Sequence, residues 1–163
     1  MTLSELKTLI QNYVENEETT FVNTLNDMII NTEERISELI EFDYFRKNVT
    51  GNLTTGNTYL TAPSDFKLSF SLAIIDSNND YHYLDKKHTS FMREYSNDAV
   101  ATSERGRPLY YADFDKDLST ASNNGSTLIV SPVPDQDYNV EIHYLYKPVS
   151  LTSQTTGTWI SQN

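Results

Sequence analysis

Asp113, Asp115 and Asp117 alternate in the stretch Asp113-Phe-Asp-Lys-Asp117, and acids spaced this way can converge on one divalent cation. A calcium loop of the EF-hand type that opens so needs Gly at its sixth position and Glu at its twelfth. Those positions hold Leu118 and Asn124, and no helical pattern flanks them. The ligand set is incomplete, so the stretch reads as a turn following a strand. His82, His88 and His143 are the only imidazoles. They lack the HxH or HExxH spacing that gathers ligands on zinc, and each reads as a surface histidine. The chain has no Cys, which excludes disulfides and thiolate metal sites. It has no G-x-S-x-G elbow, no Walker loop and no G-x-G-x-x-G, so covalent catalysis has no candidate nucleophile. A glycosidase needs two facing carboxyls, and nothing singles out one pair among the 23 acids. The chain reads as a protein that is not an enzyme, with no catalytic, cofactor-binding or metal residue. Three glycosylation acceptor patterns begin at Asn48, Asn52 and Asn124; residues 1–25 show no secretory signal, so they read as polar loops only.

The elements that would position any such groups follow from periodicity. The spacing predicts a helix over residues 2–15, with Thr2 and Glu5 as a capping box and Leu3, Leu6, Ile10, Tyr13 and Val14 as its apolar stripe. A second helix is predicted from about residue 20 to 40, with capping residues at Thr19 and Thr20. Its stripe is Phe21, Leu25, Met28, Ile29, Ile36, Leu39 and Ile40, and it weakens at Asn31-Thr32, where a kink or a change of packing partner is expected. Glu33, Glu34 and Arg35 fall opposite the stripe and read as a solvated face. After Phe42 the period changes to that of strands. Residues 45–51 and 58–61 form two short strands joined by a Gly-, Thr- and Asn-rich loop. Residues 69–75 and 81–84 flank a five-residue polar loop and suit a hairpin. Residues 89–95 suit a helical turn or two with Phe91 and Met92 inward, and residues 109–113 a strand.

The clearest strand is Tyr138-Asn-Val-Glu-Ile-His-Tyr-Leu-Tyr146, with Tyr138, Val140, Ile142, Tyr144 and Tyr146 on one face and only Leu145 out of step. It is predicted to pair as a hairpin with Leu128-Ile-Val-Ser-Pro-Val-Pro134. Pro132 and Pro134 cannot donate to a ladder, so that arm's end is expected at a sheet edge or entering the turn. Asp137 is expected to bond the local backbone of the turn. The fold class is α+β: a helical segment over residues 1–43, an antiparallel β-domain over 44–148 and a polar tail over 149–163. The tail's sizeable apolar residues are Val149, Leu151, Trp159 and Ile160, so it is expected to be mobile unless Trp159 is captured.

A chain of 163 residues with a net charge of −11 can bury roughly two thirds of its unfolded surface. Its acidity repels phosphate backbones and disfavours ordinary DNA or RNA binding. No apolar run approaches the ~18 residues that would span a bilayer, so no membrane contact is expected.

Three stretches carry a family resemblance. Tyr13-Val-Glu-Asn-Glu-Glu-Thr-Thr-Phe21 runs into Thr32-Glu-Glu-Arg-Ile36. Phe45-Arg-Lys-Asn-Val-Thr50 leads to Tyr59-Leu-Thr-Ala-Pro-Ser-Asp-Phe66. Gly106-Arg-Pro-Leu-Tyr-Tyr111 precedes residues 132–148. Taken in order, these resemble the adaptor proteins of the tailed-bacteriophage head-to-tail connector, of the marine and cyanobacterial phage type. The resemblance implies a virion structural protein of the neck, made in the host cytoplasm, and a homo-oligomeric ring, usually a dodecamer. Implied partners are the portal protein on one side and a tail, neck or nozzle protein on the other, with DNA only passing through the channel. The family continues into further helices past the position of Trp159, so a longer product, or a cover from a neighbouring subunit, is expected. Tyr-rich composition suits a protein interface. A different class, a β-rich tail module binding host glycans, would instead expose Tyr110, Tyr111, Tyr144 and Tyr146 in a groove, and a hydrolase would bring two carboxyls into one pocket.

Overall fold

Thr2 and Glu5 form the predicted capping box: the Glu5 N–H donates to Thr2 Oγ1 at 3.2 Å and the Thr2 N–H to Glu5 Oε2 at 2.7 Å. They start α1 (Leu3–Val14), which ends where Glu15 takes a left-handed conformation. The computed structural model describes residues 1–40, 43–95, 102–115 and 126–153. The chain divides into two compact units, Met1–Phe45 with Lys147–Asn163, and Arg46–Tyr146.

In the first unit α1 meets α2 (Thr19–Leu39). α2 begins at Thr19 after Glu18, which makes no side-chain cap. Asn16 Oδ1 instead takes the Glu18 N–H at 2.9 Å, so Thr19 and Thr20 lie inside the first turn and do not cap it. The helix runs unbroken through Asn31 and Thr32. Its buried residues are Leu25, Ile29, Glu33 and Ser37, one line at the i, i+4 spacing of a helix face. This corrects the solvated reading of Glu33. The stripe predicted from hydrophobicity continues toward Leu39, yet Leu39 is 75% exposed. The buried line turns polar because a later segment returns to it. Leu151, in a 3-10 turn (Leu151–Ser153) packed on α2, is only 1% exposed. The tail is therefore held at its start, while residues 154–163, Trp159 included, lie outside the described residues.

The second unit is two four-stranded sheets with the main core between them. One sheet has the order β1 (Arg46–Leu53), β8 (Tyr138–Tyr146), β3 (Phe66–Ile75), β4 (Tyr81–Tyr83); all its pairs are antiparallel. The other has the order β2 (Tyr59–Thr61), β7 (Thr127–Ser131), β6 (Tyr110–Asp115), β5 (Asp85–Lys86), with a parallel pair only between β5 and β6. The fold is thus α+β as predicted, and β3 and β4 form the predicted hairpin. On β8, Tyr138, Val140, Ile142 and Tyr144 are buried and join Leu72, Ile74, Leu128 and Tyr111 in the core. Leu145 is buried on the opposite face. Against the far side of the second sheet lies α3 (Thr89–Tyr95), where Met92 packs with Ala112 and Ile129 and Phe91 packs alongside.

The predicted hairpin of residues 128–147 does not form. β7 lies inside one sheet, between β2 and β6, and β8 inside the other. Pro132 and Pro134 come after β7 has ended and carry the chain across from sheet to sheet, so they cost no ladder bond. The Ser131–Pro132 peptide is cis. Their segment is held by distant loops: the Gly106 N–H donates to the Val133 carbonyl and the Gly56 N–H to the Pro134 carbonyl, each at 2.9 Å. Asp137 likewise does not bond locally. It accepts from the Thr55 N–H at 2.7 Å and the Thr55 hydroxyl at 2.8 Å.

Candidate interaction surfaces

Among the described residues, the side chains with chemical potential gather in four places. Between the sheets, Lys86 Nζ on β5 donates to Ser69 Oγ at 2.8 Å and to Asp113 Oδ2 at 2.7 Å, while Ser69 Oγ donates to Asp113 Oδ1 at 2.8 Å. A serine–lysine hydrolase needs a neutral lysine and a reachable hydroxyl. Here the lysine is ion-paired and Ser69 is buried, so the trio braces β3 against β5 and β6. Burial pushes the nearby Tyr111 phenol up; the Ser69 hydroxyl opposes that shift and the Asp113 charge adds to it. Asp113 thus spends both oxygens inside the protein, Asp115 is exposed, and Asp117 lies outside the described residues. Among the described residues no three His, Asp or Glu side chains are placed to hold a metal ion.

At the other end of the sheet pair, Asp65 accepts from Lys47 Nζ at 2.6 Å and from the Tyr144 hydroxyl at 2.7 Å. Burial works to raise the Asp65 pKa, but the bonds from Lys47 and Tyr144 outweigh it and the net shift is downward. Tyr144 is pushed strongly up, by burial first and by the Asp65 carboxylate second.

A cleft of about 610 Å³ opens at the ends of β1, β3 and β8, lined among others by Asn52, Thr54, Asp76, Gln136, Asp137 and Asn139. It brings two carboxyls to one hollow, the arrangement a hydrolase would need. A glycosidase acid must hold its proton near neutral pH, through a raised pKa. Both carboxyls shift the other way: Asp76 is lowered by the hydrogen bond from His82, 2.9 Å away, and Asp137 by the Thr55 backbone N–H. His88 is exposed beside Ser90, and the half-buried His143 ring lies 5.6 Å from that of Phe70.

The fourth place is a corner built by motif residues. Gly56 has φ +74°, and the Arg105 guanidinium lies 3.2 Å from where its Cβ would be. A side chain there would be strained by the positive φ and would press on Arg105. Pro108 is fully buried. Gly106-Arg-Pro108 and the segment after Ser131, two of the stretches that carry the resemblance, therefore meet at one structural corner.

What remains available for binding is surface. No residue of α1 is buried; Leu3, Leu6 and Ile10 are half-covered, Leu9 and Val14 are exposed, and Tyr13 is 89% exposed. On α2, Met28 and Leu39 are exposed, as is Ile40 just past its end. Tyr111 and Tyr144 are inside, while Tyr110 and Tyr146 are half-buried against the two core clusters. Hydropathy marks the helix stripes but not which part of them stays uncovered, and no signal in the sequence gave Glu33 its buried role. No described helix is long and apolar enough to cross a membrane. No curated protein matches the chain. The sequence model of the SU10 adaptor protein family matches it over residues 1–163. With a helical unit that leaves apolar side chains uncovered, and polar clusters committed to bracing its sheets, the chain belongs to the SU10 adaptor protein family.

Proposed function

We propose that this protein is the adaptor of a phage head-tail connector, assembling as a ring of identical copies that joins the portal to the tail. The observation that carries this reading is α1, a well-capped helix without one buried residue. A helix of this length is marginal in water without packing, and its exposed Leu9, Tyr13 and Val14 offer apolar area that a second surface would cover. Copies that bind head to tail close into a ring when the rotation between them closes, and a ring is the form this role asks for. The net charge of −11 suits a channel wall past which DNA slides without sticking. The portal sits on one side of such a ring and a tail, neck or nozzle protein on the other. Helical residues 1–43 form the ring and face the portal in this reading, residues 44–148 form the β-domain, and residues 149–163 the tail. No catalytic step is part of the role. The burial of Tyr111 and Tyr144 supports this reading over a glycan-binding tail module, which would need those rings exposed.

Counting copies per particle by quantitative mass spectrometry of purified virions tests the proposal. A dozen or so copies, co-purifying with the neck, is the expected result. One or two copies per particle would sink the ring. Free protein can remain monomeric, because a ring templated by the portal forms only in its presence.

A further inference from the structure

Arginine carries five N–H donors in a rigid fork and no acceptor, so a guanidinium taken out of water needs oxygens around it. The corner where Gly56 meets residues 102–108 holds two guanidinium groups that lack them. Arg105 is half-buried, and its Nε is buried with no hydrogen-bond partner. Its Cζ, Nη1 and Nη2 all lie 3.2 Å from where a Cβ on Gly56 would be. Equal distances to three atoms put the guanidinium plane face-on over the glycine, and the donors, which lie in that plane, point past it. Arg107 is exposed, and its charge works against the rise that burial imposes on the Tyr138 phenol, so it stands beside the same turn. The ion pairs among the described residues use Lys47, His82, Lys86, Lys87 and Lys147 and neither of these arginines. Among the described residues no hydrogen bond is made by either side chain.

Acids are not scarce in this chain, which has 23 against 12 bases. Two of them, Asp135 and Asp137, lie in the turn beside the corner and are committed elsewhere. Asp135 accepts from the Tyr138 hydroxyl at 2.7 Å, and Asp137 from the Thr55 N–H and hydroxyl. The corner itself is fixed by the backbone, through the bonds from Gly56 to Pro134 and from Gly106 to Val133. It therefore keeps a left-handed position that only glycine fills without strain, and on it a desolvated guanidinium with no counter-charge. Both are costs to folding, and an incoming oxyanion removes the second, because a carboxylate meets the fork with two parallel bonds. The acids around the corner decide the class of ligand. A nucleic-acid backbone brings a row of charges past Glu104, Asp135 and Asp137 and is repelled; one carboxylate can approach the arginines alone. We propose that Arg105 and Arg107 form a seat for a single carboxylate, supplied in the particle by an Asp or Glu side chain of a neighbouring protein. The source of that carboxylate rests on the assembly reading above, while the seat is a property of this chain.

Sodium propionate has the carboxyl end of a Glu side chain and serves as the probe. Added to the full-length protein at constant ionic strength, it should shift one of the five arginine Nε–H NMR signals, that of Arg105, together with the Gly56 amide. The shift should saturate in the millimolar range. Propionamide, with the same shape and no charge, should move neither signal. Arg105→Lys keeps the charge but loses the fork, so the Gly56 response should need at least about tenfold more propionate; unchanged amide signals along β8 would show that this variant is folded. Arg107→Ala, at an exposed side chain, should weaken binding by about twofold to threefold. A titration without a saturating shift, or a shift that Arg105→Lys leaves intact, would overturn the seat. Tighter binding of inorganic phosphate or of a short DNA duplex at the same two signals would assign it to phosphate and reject the carboxylate. Phenylglyoxal, which modifies free guanidinium groups, should react several-fold more slowly at Arg105 and Arg107 in intact virions than in free protein. Equal reaction would show the seat empty in the particle and reject the neighbouring protein as its source. The titration uses free protein, so a failed copy count in virions removes the ring without altering the seat.

Discussion

Glu33 and Glu34 are neighbours on α2 that should behave differently when removed. Glu33 is 7% exposed, and its Oε1 accepts the Leu151 N–H at 3.0 Å. Glu34 is exposed, and its carboxylate pairs with Lys147 Nζ at 2.9 Å across two side chains that are 48% and 59% exposed. Replacing Glu33 with Ala leaves a buried backbone donor without its acceptor, and hydrogen bonds to charged groups contribute ~1.5–3 kcal/mol. Part of that loss is offset, because Glu33 Oε2 is buried without a partner and its desolvation cost disappears with it. A net loss of ~2 kcal/mol is a factor of about 30 in a local opening equilibrium. Exposed ion pairs contribute ~0.2–1 kcal/mol, so Glu34→Ala should change the same equilibrium by about a factor of two. Native-state hydrogen exchange read at the Leu151 amide measures this directly. Glu33→Ala should speed that exchange about 30-fold, with Glu33→Gln between it and the parent because the acceptor survives without its charge. If Glu33→Ala changed exchange by less than about threefold, or no more than Glu34→Ala, the 3-10 turn would not be held by this bond and the placement of residues 147–153 would be wrong.

Ile142→Asp puts an unpaired charge between the Val49 and Leu72 rows of the core and should cost several kcal/mol in urea unfolding, roughly 3–5. Asn139→Asp and Glu141→Asp on the opposite face should cost less than ~1 kcal/mol, and equal tolerance on both faces would reverse the assignment. Calcium or EDTA should move the melting temperature by no more than about 1 °C, since only a ligand that binds the native state stabilises it; a large calcium-dependent rise would show a site that the Asp113 and Asp115 geometry does not provide. Asp65 has its pKa lowered in the fold, so the stability it adds is complete above the ordinary carboxylate value of about 4 and is lost as pH falls below it. Tyr144 is raised, so its contribution is complete below about pH 10 and fades above it; stability curves of Asp65→Asn and Tyr144→Phe should each lose one of these limbs, and unchanged curves would refute the pairing. Residues 1–40 carry eight acids against two bases, so any contact between copies through this segment should strengthen as salt rises past about 0.1 M, and sedimentation showing the opposite would place the contact elsewhere.

The helices, the β3–β4 hairpin and the inward face of β8 were all legible because each is a local pattern. α1 could be read from Thr2, Glu5 and its stripe, and the inward face of β8 from alternation alone. The pairing of β7 with β8 was not legible. Adjacent strands with a short link usually pair, and Asp135-Gln-Asp137 looks like the turn between two such arms. The link here is longer than that turn. Val133 and Pro134 are buried, and their carbonyls are claimed by Gly106 and Gly56, groups far away in sequence. Two prolines in a strand suggest an edge, but two prolines just past a strand let the chain leave one sheet for the other. Pro132 directly follows the last residue of β7, so of the two expected places, a sheet edge or the entry to a turn, it is the strand's exit that the prolines occupy.

The functional surfaces were less legible than the fold for a different reason. Periodicity reports what a segment can bury; it does not report what arrives to cover it. Glu33, Glu34 and Arg35 look alike to any hydropathy pattern, and the return of one leucine, Leu151, decides that the first is buried and the second is not. The same logic runs in reverse for Met28 and Leu39, which belong to an apolar stripe yet face water. Catalytic signals were absent from the motifs, and the geometry gives a physical account of the suggestive clusters: Ser69, Lys86 and Asp113 satisfy one another, as do Asp65, Lys47 and Tyr144. Polar groups that satisfy one another between sheets fix how the sheets sit, because each would be costly to bury alone. Beside these satisfied clusters, Leu9, Tyr13, Val14, Met28 and Leu39 stay exposed on the two helices, apolar area that the described residues of the chain leave uncovered.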